Sequence, residues 1–321
     1  MRDVRKNELG RTGIAVSELC LGTLIHSRLQ ANLAPEYGAR AIRRALELGI
    51  TFIDTAKTYG THPHVRLGVE GFTDTVIATK SPVKTSREMR QDVESALREL
   101  GRETIDIYHL HLVRNIADMR EREGALDVLV KCREAGMIRA VGLSAHGVEG
   151  ARCALDYDEI DVVFPVMNIK GLGITDGTRD GMIETVVKLR ECGRGVYAMK
   201  PLGGGHLIED IPGAIGYLRG LNMFDSISVG LKTPEEVEVM FGVFINDHAA
   251  IERALEMGKD RSHRKHLIVY DFICEKCGTC IDACAQNALS MGEKCAVVDT
   301  ETCILCGYCA AACPKFALRV I

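Results

Sequence analysis

The sequence predicts an α/β protein: a (β/α)8 TIM barrel followed by a small α+β domain. Two patterns carry that expectation. Up to residue 258, eight short apolar runs alternate with amphipathic helical stretches, the arithmetic of an eight-stranded barrel. Beyond residue 266, eight of the thirteen cysteines fall into two copies of one spacing. The divisions that follow are a barrel at 1–258, a polar, basic linker at 259–266 and a cysteine-rich domain at 267–321.

The elements come in order. Arg11-Thr12-Gly13-Ile14-Ala15-Val16-Ser17 reads as a small hairpin that closes the barrel bottom. Strands are expected at Leu19–Gly22, Thr51–Thr55, Thr75–Thr79, Ile105–Leu110, Ala140–Ser144, Val162–Val166, Gly195–Met199 and Ser226–Gly230. Helices fill the intervals; in Ser86–Leu100, residues Met89, Val93, Leu97 and Leu100 recur on one face. Gly49, Gly101, Gly136 and Gly193 follow helix ends, where a left-handed residue closes the last turn. A helix at Pro234–Phe244 and a further helical stretch at Ala249–Met257 precede the linker. An open doubly wound sheet would set G-x-G-x-x-G after the first strand, and Gly22-Thr23-Leu24-Ile25 offers none.

Composition narrows the function classes. Lys and Arg number 40 against 44 Asp and Glu, a net charge of −4, so neither nucleic acid nor a membrane surface is an expected partner. No run is long and apolar enough to span a bilayer, and the charged start lacks the apolar stretch of a signal peptide. The linker charges read as a solvated connection, with docking against the cysteine-rich domain as the weaker alternative.

The cysteine runs are Cys274, Cys277, Cys280, Cys284 and Cys303, Cys306, Cys309, Cys313, each C-x2-C-x2-C-x3-C, the spacing that holds [4Fe–4S] clusters. At an offset of 29 residues, Gly278 also matches Gly307, Ala283 matches Ala312, Ala288 matches Ala317 and Leu289 matches Leu318. The segment is therefore a duplicated module. It resembles the two-cluster bacterial ferredoxins over about residues 267–321. That resemblance implies two [4Fe–4S] clusters, one on Cys274, Cys277, Cys280 and Cys313, the other on Cys303, Cys306, Cys309 and Cys284. Ala285 stands where the family has proline, and Cys295 is a ninth cysteine, read as packing. Structural zinc is the alternative, although paired C-x2-C units are its usual form. Thiolate ligands need a reducing compartment, so the expected setting is the cytoplasm of an anaerobe or microaerobe. Cys20, Cys132, Cys153 and Cys192 read as small buried hydrophobes.

In a barrel the chemistry sits at the C-terminal strand ends. There the chain puts Asp54, Tyr59, Lys80 and His111. A lysine inside a barrel mouth needs a carboxylate, and Asp54 on the neighbouring strand is the natural one. Asp54-Thr55-Ala56-x-x-Tyr59-Gly60, then Ala78-Thr79-Lys80, then Asp106-Ile107-Tyr108-x-Leu110-His111 resembles the aldo-keto reductase family in order and spacing, over about residues 7–245. Met199-Lys200-Pro201-Leu202-Gly203-Gly204-Gly205 is similar to the branch of that family that carries a C-terminal ferredoxin module. The resemblance implies carbonyl–alcohol interconversion on a small molecule. Tyr59 would be the general acid, Lys80 would lower its pKa, Asp54 would hold Lys80, and His111 would orient the carbonyl. His109 reads as core; His62 and His64 read as lid or surface residues.

The same resemblance implies NADH or NADPH along the later strand ends, with Ser144, Asn168, Lys200, Leu202, Gly230, Lys232 and Thr233 facing it. Here the pattern thins. Ala145 replaces an asparagine, Phe164 a glutamine, and Met199 a stacking tyrosine. Glu236 stands near the place of a phosphate-binding arginine, which points from NADPH toward NADH or toward no nicotinamide at all. The loop Gly171-Leu172-Gly173-Ile174-Thr175-Asp176-Gly177 is expected to be a mobile substrate loop. A redox partner protein is a further expectation. The competing reading is a ferredoxin-type relay whose barrel is mainly a docking body.

Overall fold

The computed structural model describes residues 4–261, 266–315 and 317–320. Eight parallel strands close a barrel in chain order: Leu19–Gly22, Phe52–Asp54, Val76–Ser81, Ile105–Leu110, Ile138–Ala145, Val162–Pro165, Gly195–Ala198 and Ser226–Gly230. Closure comes from the eighth strand lying parallel to the first, with Ile227 opposite Leu19 and Gly230 opposite Gly22. The hairpin is present as Lys6–Glu8 paired with Ala15–Ser17. Its Leu9, Ile14 and Val16 join the inward-facing Cys20, Phe52, Ala78, Ile107 and Tyr197 in one buried cluster. The lower end of the barrel is thus packed solid, and polar side chains gather at the upper end.

Local chemistry accounts for the helices. Ser86–Leu100 starts where the Thr85 hydroxyl accepts from the Glu88 amide and donates to the Glu88 carboxylate, a capping pair. It ends at Gly101, whose φ of +66° places it in the left-handed region. Between them Met89, Val93, Ala96 and Leu100 are buried against the barrel. Among the described residues, no helix is long and apolar enough to cross a membrane.

The cysteine-rich domain is built from two strand pairs, Leu267–Val269 with Leu318–Val320 and Leu289–Met291 with Ala296–Val298. Two short helices, Thr279–Asp282 and Tyr308–Ala312, follow the cysteine loops. The duplication is visible in the backbone. Lys276 and Leu305 share φ of +56° and +51°, and Gly278 and Gly307 share +80° and +79°.

Several expectations are corrected. The helix after Pro234–Phe244 runs from His248 to Arg261, across the expected boundary at 258, and residues 262–265 of the linker lie outside the described residues. Cys192 is exposed rather than buried, because it falls on the solvent side at the end of the helix Arg179–Glu191. Cys295 precedes its strand and is half-buried. In the 171–177 loop, Asn168 bonds both the amide and the carbonyl of Leu172, and Gln286 Nε2 donates to the Gly173 carbonyl at 3.3 Å.

Candidate active site at the barrel mouth

Strand register brings the polar residues together. Asp54 ends the second strand beside Ala78, and Lys80 lies beside His109 of the fourth. Lys80 Nζ donates to both oxygens of Asp54, at 2.7 and 2.8 Å, and to the Thr55 carbonyl at 2.5 Å. All three N–H bonds of the ammonium are therefore spoken for, and neither partner is more than 3% exposed. Burial pushes Asp54 up and Lys80 down, and their mutual attraction opposes both shifts. Tyr197, from the seventh strand, donates to Asp54 Oδ2 at 3.0 Å and lies 2.8 Å from His109 Nε2. Tyr197 thus bridges the Asp54 carboxylate and the buried imidazole of His109.

Tyr59 closes a short 3-10 turn, Lys57–Tyr59, with its ring edge-on to His111 at 5.9 Å. Lys80 Nζ is 5.1 Å from the Tyr59 ring centre, so its charge rather than a hydrogen bond bears on the phenol. Burial holds Tyr59 well above the usual tyrosine range, helped by Tyr308 and Asp54. The lowering by Lys80 that the sequence suggested is outweighed. His111 is held well below the usual imidazole range by burial and then by the Lys80 charge. Its Nδ1 has no partner among the described residues.

Tyr59, Lys80, His111 and Asp54 share one cavity of about 500 Å³. Its roof comes from the cysteine-rich domain: Ile304, Cys306 and Tyr308 line it opposite the barrel residues. The Tyr59 and Tyr308 side chains both line this cavity, and Tyr308 adds to the upward shift of the Tyr59 phenol. His146 also faces the cavity, its ring 6.3 Å from that of Tyr308.

The residues assigned to a nicotinamide divide. Lys200, Leu202, Gly230 and Lys232 line the cavity, together with Phe164, Met199 and Glu236. Ser144 and Asn168 serve the fold instead. The Ser144 hydroxyl accepts from the Leu112 amide at 3.0 Å, and the Asn168 amide group is used on Leu172 and Lys200. Thr233 caps the helix Pro234–Phe244 through the Glu236 amide. Glu236 Oε2 accepts from the Lys232 amide at 2.7 Å, so a carboxylate occupies that corner of the cleft.

His62 and His64 are neither lid nor surface. Both are buried on the helix His62–Gly68, His62 between Thr79 Oγ1 and Glu99 Oε2, and His64 on the Leu33 carbonyl. They brace the turn that carries Tyr59.

The cysteines sort into crossed sets. Cys280 is coupled to Cys313, Cys274 and Cys277, and Cys309 to Cys306, Cys284 and Cys303. The fourth cysteine of each run also receives a backbone amide, Ala288 on Cys284 at 3.4 Å and Ala317 on Cys313 at 3.3 Å. Four thiols drawn from both runs, with amides directed at sulfur, fit a cubane that takes one sulfur at each iron. Among the described residues, no three His, Cys, Asp or Glu side chains converge as ligands of a single metal ion.

Sequence reasoning missed Tyr197, His146, Ile304 and Tyr308, and gave Cys306 as a cluster ligand without its place in the roof. The repeat itself held the signal for the roof. Where the first run has Glu275, Lys276 and Thr279, the second has Ile304, Leu305 and Tyr308.

Known proteins agree with this architecture. The "Aldo/keto reductase family" model matches residues 18–214, and a "4Fe-4S binding domain" model matches residues 296–319, a stretch that spans the second run. The chain is 23% identical over 225 residues to L-galactose dehydrogenase of Arabidopsis thaliana, covering 66% of this chain and 70% of that one. It is 29% identical over 227 residues to "Probable aldo-keto reductase 1" of Glycine max, covering 64% and 63%. The holo form of aldo-keto reductase AKR11C1 from Bacillus halodurans superposes with a TM-score of 0.64 at 18% identity, covering 78% of this chain and 96% of that one.

Proposed function

The chain belongs to the aldo/keto reductase family and carries a 4Fe-4S binding domain, and from that premise we propose a specific chemistry. The barrel mouth interconverts a carbonyl and an alcohol, and the cysteine-rich domain couples that site to electron transfer through two [4Fe–4S] clusters. One observation carries the reading: Asp54, Tyr59, Lys80 and His111 line a single cavity whose roof includes Cys306.

Tyr59 donates a proton to the carbonyl oxygen, and its raised pKa keeps that proton in place through neutral pH. His111, neutral because it is buried, offers a ring N–H to the same oxygen without adding charge. Lys80, fixed on Asp54 and Thr55, supplies a positive field at the developing tyrosinate. A bound nicotinamide supplies or accepts hydride. Met199, Lys200, Leu202, Gly230 and Lys232 would flank it, and Glu236 favours NADH because a carboxylate repels a 2′-phosphate. The test is anaerobic turnover of a panel of aldehydes, ketones and alcohols with NADH or NADPH. Turnover that survives intact in Tyr59→Phe would refute the assignment.

A second reading has its own support. Ser144 and Asn168 are occupied within the fold, as expected of a relay protein whose barrel is a docking body. Nicotinamide titration separates the two: reversible cluster reduction without binding of NADH or NADPH favours the relay.

A further inference from the structure

The two cysteine runs are alike in backbone and unlike in surroundings. Around the first, Glu275, Lys276 and Cys277 are exposed, and a Cβ on Gly278 would meet nothing within 4 Å. Around the second, Cys303, Ile304 and Gly307 are buried. A Cβ on Gly307 would sit 2.4 Å from the Leu29 carbonyl oxygen, and one on Gly204 would sit 1.8 Å from that of Ile304. Backbone meets backbone at both points, and only glycine permits it. His206 adds a hydrogen bond to the Cys303 carbonyl.

We propose that the set Cys284, Cys303, Cys306 and Cys309 is the inner redox terminus, in direct contact with whatever the barrel cavity binds, and that Cys274, Cys277, Cys280 and Cys313 form the outer, solvent-facing terminus. This rests on the reading that both runs hold clusters. Cys306 lines the cavity itself, and Cys277 is exposed. Lys200 marks the inner side. Its Nζ is buried with no hydrogen-bond partner among the described residues, in the same cavity wall as Cys306. Its φ of +57° is uncommon for a side-chain-bearing residue and is held by Asn168 Nδ2 and the Gly203 amide on its carbonyl. Lys200 shares its cavity wall with Cys306, a member of the inner set, and with no cysteine of the outer set.

The test uses the full chain, reconstituted anaerobically, with cluster potentials read by EPR-monitored titration. Cys277→Ser and Cys306→Ser assign each signal to its set. Lys200→Met removes the positive charge and is expected to lower the potential of the inner signal alone, whereas Lys200→Arg leaves it near the parent value. Tyr59→Phe, far from both runs in sequence, is expected to alter the line shape of that same signal. A dissolved dysprosium chelate should relax the outer signal more strongly than the inner. A Lys200→Met effect on the outer signal, on both equally or on neither overturns the assignment, as does stronger relaxation of the inner signal. Should Lys200→Met fail to accumulate, Lys200→Gln and Tyr59→Phe make the same comparison. A chain with no reduced-cluster signal at all refutes the cluster reading itself, which is a different result.

Discussion

Tyr308, carried by the cysteine-rich domain, lines the same cavity as Tyr59, carried by the barrel, and helps to hold the Tyr59 phenol above its ordinary range. The proposed acid is thus tuned from both folds. Tyr308→Phe removes the phenol that helps to hold the Tyr59 pKa up, an effect of about 1 kcal/mol. Steady-state kcat is expected to fall about five- to tenfold, with a shifted alkaline limb in its pH profile. A loss of stability alone, with the pH profile unmoved, would contradict a positioning role.

Tyr59→Phe should cost far more. Positioned proton transfer contributes about 10²- to 10⁴-fold, so anaerobic kcat for carbonyl reduction is expected to drop within that range while the thermal midpoint stays near the parent value.

The pH dependence has a definite sign. Tyr59 sits above the ordinary tyrosine value of 10.0, so its acid form persists through neutral and mildly alkaline solution. Reduction should stay level and decline only beyond about pH 10, while alcohol oxidation, which needs the base form, rises with pH. His111 is held well below 6.5 and is neutral throughout that range. No acid limb near pH 6.5 is expected in a kcat profile.

Lys80→Met leaves the Asp54 carboxylate buried without its cation. Breaking a buried pair costs about 3–5 kcal/mol, readable in anaerobic urea denaturation. Replacing both partners, Asp54→Leu with Lys80→Met, is expected to recover part of that loss, although not activity.

Glu236→Arg should reverse the nicotinamide preference. Removing the carboxylate at the Lys232 amide and adding a guanidinium is expected to tighten NADPH by about tenfold relative to NADH, measured by fluorescence titration.

The barrel was legible because its period is local. Leu19–Gly22, Ile105–Leu110, Ser226–Gly230 and the helix Ser86–Leu100 have the expected ends, each set by glycine or by a shift from apolar to polar residues. Thr51 and Thr55 fall outside their strand, which spans only Phe52–Asp54. The meeting of Asp54 with Lys80 was legible too, since adjacent parallel strands bring their ends together. What no period encodes is how one fold is set against another. Tyr308 and Cys306 enter the barrel cavity through contacts across a long sequence separation, and His62 is drawn inward by Glu99 and Thr79. Tyr197 escaped notice because it lies inside an apolar strand, where a tyrosine reads as packing.

The roof over the cavity belongs to the cysteine-rich domain. Clusters of this kind organise the loops that hold them, so metal supply and folding are one event for such a domain. Ile304, Cys306 and Tyr308 form part of the cavity wall, so the shape of that chamber is tied to whatever organises the second cysteine loop.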